Sequence, residues 1–216
     1  MLKFIHLEKA NINEQTKIGP LTPEEALAEL KDGNRRFTHG QNMPRELLDQ
    51  VHRTGKSQTP FAIVLGCIDS RVPPEIVFDQ GIGDIFSARI AGNFINDDIL
   101  GSMEFATKMA GAKLILVLGH SRCGAIMGAA DDAQLGNLTG MLTKLKPAVE
   151  TVRDIEGPRS SENVEFIDAI TQKNVEMTVQ AIKERSPVLE EMLEAGEIML
   201  AGAIYDVASG KVDFLK

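Results

Sequence analysis

Apolar positions along this chain fall into two patterns. Continuous runs, PFAIVLGC over 60–67 and AKLILVLGH over 112–120, offer no polar face, which is the pattern of strands covered on both sides. DIFSARIAG over 84–92 reads as a further strand, and IMLAGAIYDVASGKVDF over 198–214 as strand, Ser-Gly turn and strand. The second pattern has helical spacing. LTPEEALAELKDGNRRF opens with Thr22 as N-cap, Pro23 at the first helical position and Glu25 as capping-box partner, with Leu27, Leu30 and Phe37 on one face. Ile99, Met103, Phe105, Ala106 and Met109 predict a helix over 96–111 that closes on Gly111. Pro73-Pro74 can only start a short helix or turn, CGAIMGAADDA predicts a tightly packed small-residue helix, and 138–195 reads as mostly helical with breaks near Gly157-Pro158 and Ser186-Pro187.

Residues 38–58 are polar and irregular, and 1–20 show no clear period before Gly19-Pro20. Strands alternating with helices predict an α/β fold, a mostly parallel central sheet flanked by helices, with an N-terminal helical arm. The expected organisation is an N-terminal arm over 1–20 and a single domain over 21–216, without internal repeat or low-complexity tract.

Composition narrows the function. The net charge of -8, with no basic stripe, argues against a general nucleic-acid binder, and the absence of Trp with a single Tyr argues against an aromatic stacking platform for bases. Met1 to Leu7 is too short and too charged for a signal peptide, and the longest apolar run, Leu114 to Leu118, is far below the roughly 20 residues of a membrane span. The expectation is a cytoplasmic protein with no membrane partner and with its two thiols reduced.

Those two thiols carry the chemistry. Cys67 sits in CIDSR with Asp69 and Arg71 at alternate positions; Cys123 sits in GHSRCGA, three residues after His120. Each fragment follows a buried-strand pattern, and sites in open α/β sheets gather at the carboxyl ends of strands. Two thiolates, an imidazole and a carboxylate form a ligand set suited to tetrahedral Zn²⁺. With Asp69 ligating, the shell would be closed; Arg71, placed to pair with that carboxylate, would open the fourth position. From the residues alone a catalytic zinc leads, while buried thiols or a disulfide, a structural zinc and a Cys–His redox or nucleophilic pair stay open. His6, His39 and His52 read as solvated loop residues and Tyr205 as structural.

The stretch from Thr59 to Ala125, with CIDSRVPPEIVFDQGIGDIFSARIAGN followed by GHSRCGA, resembles the β-class carbonic anhydrases, whose signature is CxDSR plus HxxC. The resemblance implies one Zn²⁺ per chain on Cys67, His120 and Cys123. Asp69 and Arg71 would form the dyad that controls the fourth position, with Asp69 as an exchangeable ligand. It also implies a plant-like, open-site branch, because Val64 stands where the branch with a non-catalytic bicarbonate site has Trp. Gln58, Phe86 and Gly124 match the family's substrate pocket; Ala91 replaces a usual valine and Phe105 a usual tyrosine, which leaves the pocket more apolar and short of one hydroxyl. The implied activity is reversible hydration of CO₂ to bicarbonate and a proton through zinc-bound hydroxide. The implied assembly is a homodimer or a dimer-based higher oligomer. Hydrolysis of COS or CS₂ by the same site is the nearest alternative, and a non-catalytic zinc-binding or sensor protein the next.

Overall fold

The computed structural model describes residues 21–215; the expected arm over 1–20 lies outside them. Five strands form one sheet in the order β2-β1-β3-β4-β5, with β1 Ala62–Gly66, β2 Ile85–Arg89, β3 Leu114–His120, β4 Met199–Tyr205 and β5 Val212–Phe214. The first four run parallel, and β5 returns antiparallel to β4 as the expected hairpin. Every residue of β1 and β3 is buried, because helices cover both faces of the sheet.

The two faces follow from strand alternation. Ala62 and Val64 of β1, with Leu114, Leu116 and Leu118 of β3, pack under α1 (Pro23–Thr38) and α3 (Pro74–Val77) through Ala26, Leu30 and Val77. Ile63, Leu65, Ile115 and Val117 pack on the other side against α4 (Asp97–Glu104), α8 (Val164–Arg185) and α9 (Pro187–Glu194) through Met103, Val175, Ile182 and Leu189. The capping box at Thr22 forms as its sequence predicts: Glu25 N–H donates to the threonine hydroxyl, and Thr22 N–H to the glutamate. The helix over 96–111 forms too, but its end widens into a π-helical turn, Phe105–Met109.

One prediction fails. Residues 38–58, expected to be irregular, contain helix α2, Leu47–Thr54. Its apolar positions Leu47, Leu48 and Val51 point outward and are exposed, while Gln50 is the buried one and accepts from Ile82 N–H. An amphipathic helix turned away from the core leaves little trace in a reading that looks for buried faces. His52 lies in this helix rather than in a loop, and both it and His39 are exposed as expected.

Helices α5 (Gly124–Ala130), α6 (Gly136–Leu142) and α7 (Lys146–Thr151) gather with α8 around a third apolar cluster. That cluster lies at the carboxyl ends of β1 and β3 and contains both cysteines.

Candidate metal centre

Strands β1 and β3 are parallel neighbours, with Leu65 opposite Val117. Cys67 follows Leu65 by two residues and His120 follows Val117 by three, so both leave the sheet at the same edge. Arg122 then takes a positive φ of 55°, turning the chain between His120 and Cys123, and Cys123 becomes the N-cap of α5. Cys67, His120 and Cys123 end with their ligand atoms within 4.8 Å of one another, all three buried. The two sulfurs are 4.0 Å apart and not bonded; two thiolates on one tetrahedral zinc stand ~3.8 Å apart at Zn–S distances of about 2.3 Å.

The donors are prepared for a cation. His120 Nδ1 lies 2.9 Å from Ser121 O; a carbonyl only accepts, so the ring donates from Nδ1 and leaves Nε2 as the free position. Nε2 is buried and has no hydrogen-bond partner, a costly arrangement for a protein with nothing to offer it. Cys67 Sγ accepts from Gly92 N–H at 3.4 Å. Its thiol is pushed down first by the hydrogen bond with Cys123 and further by the one from Gly92 N–H, against the opposing effect of burial. The Cys123 thiol is pushed up by the same pairing and by burial. One negative charge therefore forms readily on this pair, and the second awaits a positive partner.

Asp69 stands beside the cluster but does not turn its oxygens on it. Arg71 Nε donates to Oδ1 at 2.9 Å and Nη2 to Oδ2 at 2.7 Å, while Arg71 N–H adds a third bond to Oδ1 at 3.0 Å. This fork holds the carboxyl well below the usual carboxylate range, so Asp69 is a fixed anion and acceptor at neutral pH. The backbone under it is clamped by Arg89, whose Nε and Nη2 donate to the carbonyls of Cys67 and Asp69 at 2.8 and 2.7 Å.

The comparisons with known proteins agree with this geometry. The carbonic anhydrase family model matches residues 62–212. The chain is 36% identical over 192 residues to carbonic anhydrase 2 of Mycobacterium tuberculosis, covering 88% of this chain and 91% of that one. It is 35% identical over 197 residues to the carbonic anhydrase of Mycolicibacterium smegmatis, covering 88% and 92%. Among solved structures, the Coccomyxa β-carbonic anhydrase in complex with acetazolamide matches with a TM-score of 0.68 at 25% identity, covering 88% of this chain and 86% of that one. The β-carbonic anhydrase CafA of Aspergillus fumigatus matches with a TM-score of 0.67 at 27% identity, covering 89% and 90%. This chain belongs to the β-carbonic anhydrase family.

Of the residues that the family resemblance assigns to a substrate pocket, two lie beside the metal-ligand cluster. Ala91 lies between Ile90, whose N–H donates to Gly66 O, and Gly92, which donates to Cys67. Gly124 follows Cys123 at the start of α5, and a side chain there would meet open space. The other three stand apart within one chain. Phe86 pairs with Ile63, four residues before Cys67 along the strand, or about 13 Å away along β1. It makes an edge-to-face contact of 6.3 Å with Phe105, itself 56% exposed. Gln58 precedes β1 altogether and lines a cavity of about 740 Å³ at the opposite edge of the sheet. A motif match fixes residue identity but cannot say on which side of a subunit a residue emerges.

Several residues at the site carried no sequence signal of their own. Phe94 packs in the same apolar cluster as the two cysteines, Arg89 clamps the Cys67–Asp69 backbone, and Ser121 with Asp206 ties the His120 loop to the end of β4. Tyr205, read as structural, is buried directly opposite His120 in the sheet. Among the described residues no helix is long and apolar enough to cross a membrane.

Proposed function

We propose that the chain catalyses the reversible hydration of CO₂ to bicarbonate and a proton, with one Zn²⁺ held by Cys67 Sγ, His120 Nε2 and Cys123 Sγ. The observation that carries this reading is the conjunction of the three convergent buried donors with an adjacent carboxylate locked by Arg71. A bound zinc supplies Lewis acidity that brings the pKa of water toward about 7. The residues supply the rest. Three protein donors leave a fourth position open, and Arg71 keeps Asp69 off it. The anionic Asp69 can accept a proton-bearing group's hydrogen bond and so orient the nucleophilic oxygen. Ala91 and Gly124 leave room beside the cluster, and neighbouring Ile90, Phe94 and Ala125 form an apolar surround suited to an uncharged, linear substrate.

A homodimer, or a larger assembly built on it, is part of this proposal. For Gln58, Phe86 and Phe105 to meet substrate, a second copy of the chain must bring them across. Two features support such a contact: β2 is an edge strand, paired only with β1 among the described residues, and Phe105, Met109, Leu47 and Leu48 are exposed. Unpaired edges and apolar patches of this kind mark association surfaces. A cytoplasmic location belongs with the reduced thiols that zinc binding requires.

Stopped-flow hydration of CO₂ by zinc-quantified protein, beside hydrolysis of COS and CS₂, tests the proposal. CO₂ should be the fast substrate. Stoichiometric zinc with turnover of COS or CS₂ alone would move the assignment to the neighbouring hydrolase reading, and zinc without any turnover to a binding protein.

A further inference from the structure

The His120 ring is not oriented by its own strand. Its Nδ1–H is received by the carbonyl of Ser121, and every other polar group of Ser121 is bound to residues 205–207. Ser121 N–H donates to Tyr205 O at 2.9 Å, its hydroxyl donates to Asp206 Oδ1 at 3.0 Å, and the same hydroxyl accepts from Val207 N–H at 3.0 Å. Asp206 is immobilised in turn. Its carboxylate accepts from Ala208 N–H at 3.1 Å, Ser209 N–H at 3.1 Å and Ser209 Oγ–H at 2.6 Å. Its backbone pairs with Lys211 O and Gly210 N–H. The turn is then pinned to α1 by Asn34, 5% exposed, which donates to Gly210 O and accepts from Val212 N–H, both at 2.9 Å.

We propose that Ser121 and Asp206 form a positioning latch that holds the His120 imidazole in the ring orientation its metal requires. The inference rests on the reading of Cys67, His120 and Cys123 as a zinc site. Neither latch residue belongs to the Cys67–His120–Cys123 cluster. Partners of this kind, which fix the tautomer and angle of a ligating histidine, typically change metal affinity by about 10–100-fold when removed. A carbonyl is a steady acceptor only if its residue is held, and here three bonds to residues 205–207 hold Ser121 through its N–H and its hydroxyl. The blander alternative is that the same bonds merely staple the hairpin turn before β5.

Ser121→Ala and Ser209→Ala separate the two. Both remove a hydroxyl from Asp206, but only Ser121 connects to His120. The zinc-loaded proteins are mixed with a chromophoric chelator to read metal release, and the Co²⁺-substituted proteins give a visible spectrum of the ligand field. Ser121→Ala should release zinc about tenfold faster or more and alter the Co²⁺ bands, Ser209→Ala should match the wild type in both, and Ser121→Thr should restore both. Wild-type release and spectrum in Ser121→Ala, or equal acceleration in Ser209→Ala, would overturn the latch while leaving the zinc reading intact. A wild-type protein that takes up no zinc would overturn both. Should Ser121→Ala not fold, Asp206→Ala, read the same way beside Ser209→Ala, decides: the latch requires faster zinc release and altered Co²⁺ bands in it, and wild-type release and spectrum contradict it.

Discussion

Arg71 grips Asp69 at two points, Nε to Oδ1 at 2.9 Å and Nη2 to Oδ2 at 2.7 Å, two residues away in the same turn. The pair sits at the mouth of the site with the arginine side chain 48% and the aspartate 18% exposed. A fork of this geometry needs a planar guanidinium, and an ammonium makes only a point contact. Arg71→Lys should therefore lower CO₂ hydration by about tenfold or more, despite conserving charge. Zinc content should stay at one per chain. Activity equal to wild type would show that charge alone suffices.

The thiols should differ in reactivity. Cys67 is pushed toward the thiolate, whereas Cys123 is fully buried and pushed the other way. Titration with an aromatic disulfide reagent should find no reactive thiol in zinc-loaded protein. After chelation it should find two, Cys67 reacting first and Cys123 more slowly. Cys67→Ser and Cys123→Ser identify the phases, and two equal rates would contradict the asymmetry.

Gln58 offers a test of assembly. Gln58→Ala should lose about tenfold or more in CO₂ hydration, the scale of a lost positioning contact, and Cys67→Ser should lose its zinc. If a second copy brings Gln58 to the site, mixed dimers of the two variants contain one site with both an intact metal cluster and an intact glutamine. Mixing should then recover up to about half of wild-type activity per dimer. No recovery in isolated mixed dimers would place Gln58 outside the reaction or within its own chain's site.

The Asp206 carboxyl is held down at about 2, first by the Ser209 hydroxyl, then by Ala208 N–H and Ser121. A carboxyl depressed in the folded state adds stability above its unfolded value of about 3.9 and loses it as pH falls toward the folded value. Melting temperatures from pH 7 to pH 2 should thus show the wild type above Asp206→Asn by a constant margin down to about pH 4, converging below it. Parallel curves across the whole range would count against the shift.

Gly92 takes a φ of +80°, and a methyl group there would lie 2.7 Å from Leu145 Cδ1. Gly92→Ala should cost roughly 1–3 kcal/mol from backbone strain and overpacking, and it should disturb the N–H that Cys67 Sγ accepts. Denaturant unfolding reads the first effect and zinc release the second.

How far the sequence carries can be judged at particular residues. The runs through Ile63 and Ile115 announce strands because both faces of the sheet are covered, and Thr22 with Glu25 announces a helix start because the capping box is a local interaction. Cys67, Asp69, Arg71, His120 and Cys123 were legible because each fragment is short and ends a strand. What stayed hidden is long-range or inverted. Ser121 meets Asp206 across 85 positions, beyond any local pattern, and α2 turns Leu47, Leu48 and Val51 outward. Gln58 matches a motif in identity, yet only the fold shows that it leaves the sheet at the edge away from Cys67.

The most direct test is stopped-flow CO₂ hydration on wild type and Asp69→Ala, each with its zinc content measured. The account predicts about one zinc per chain in both, fast hydration in the wild type, and a fall of about 100-fold or more in the variant, the scale of a misplaced reacting group. Full zinc with no hydration by the wild type between pH 7 and 9, or undiminished hydration by Asp69→Ala, would contradict it.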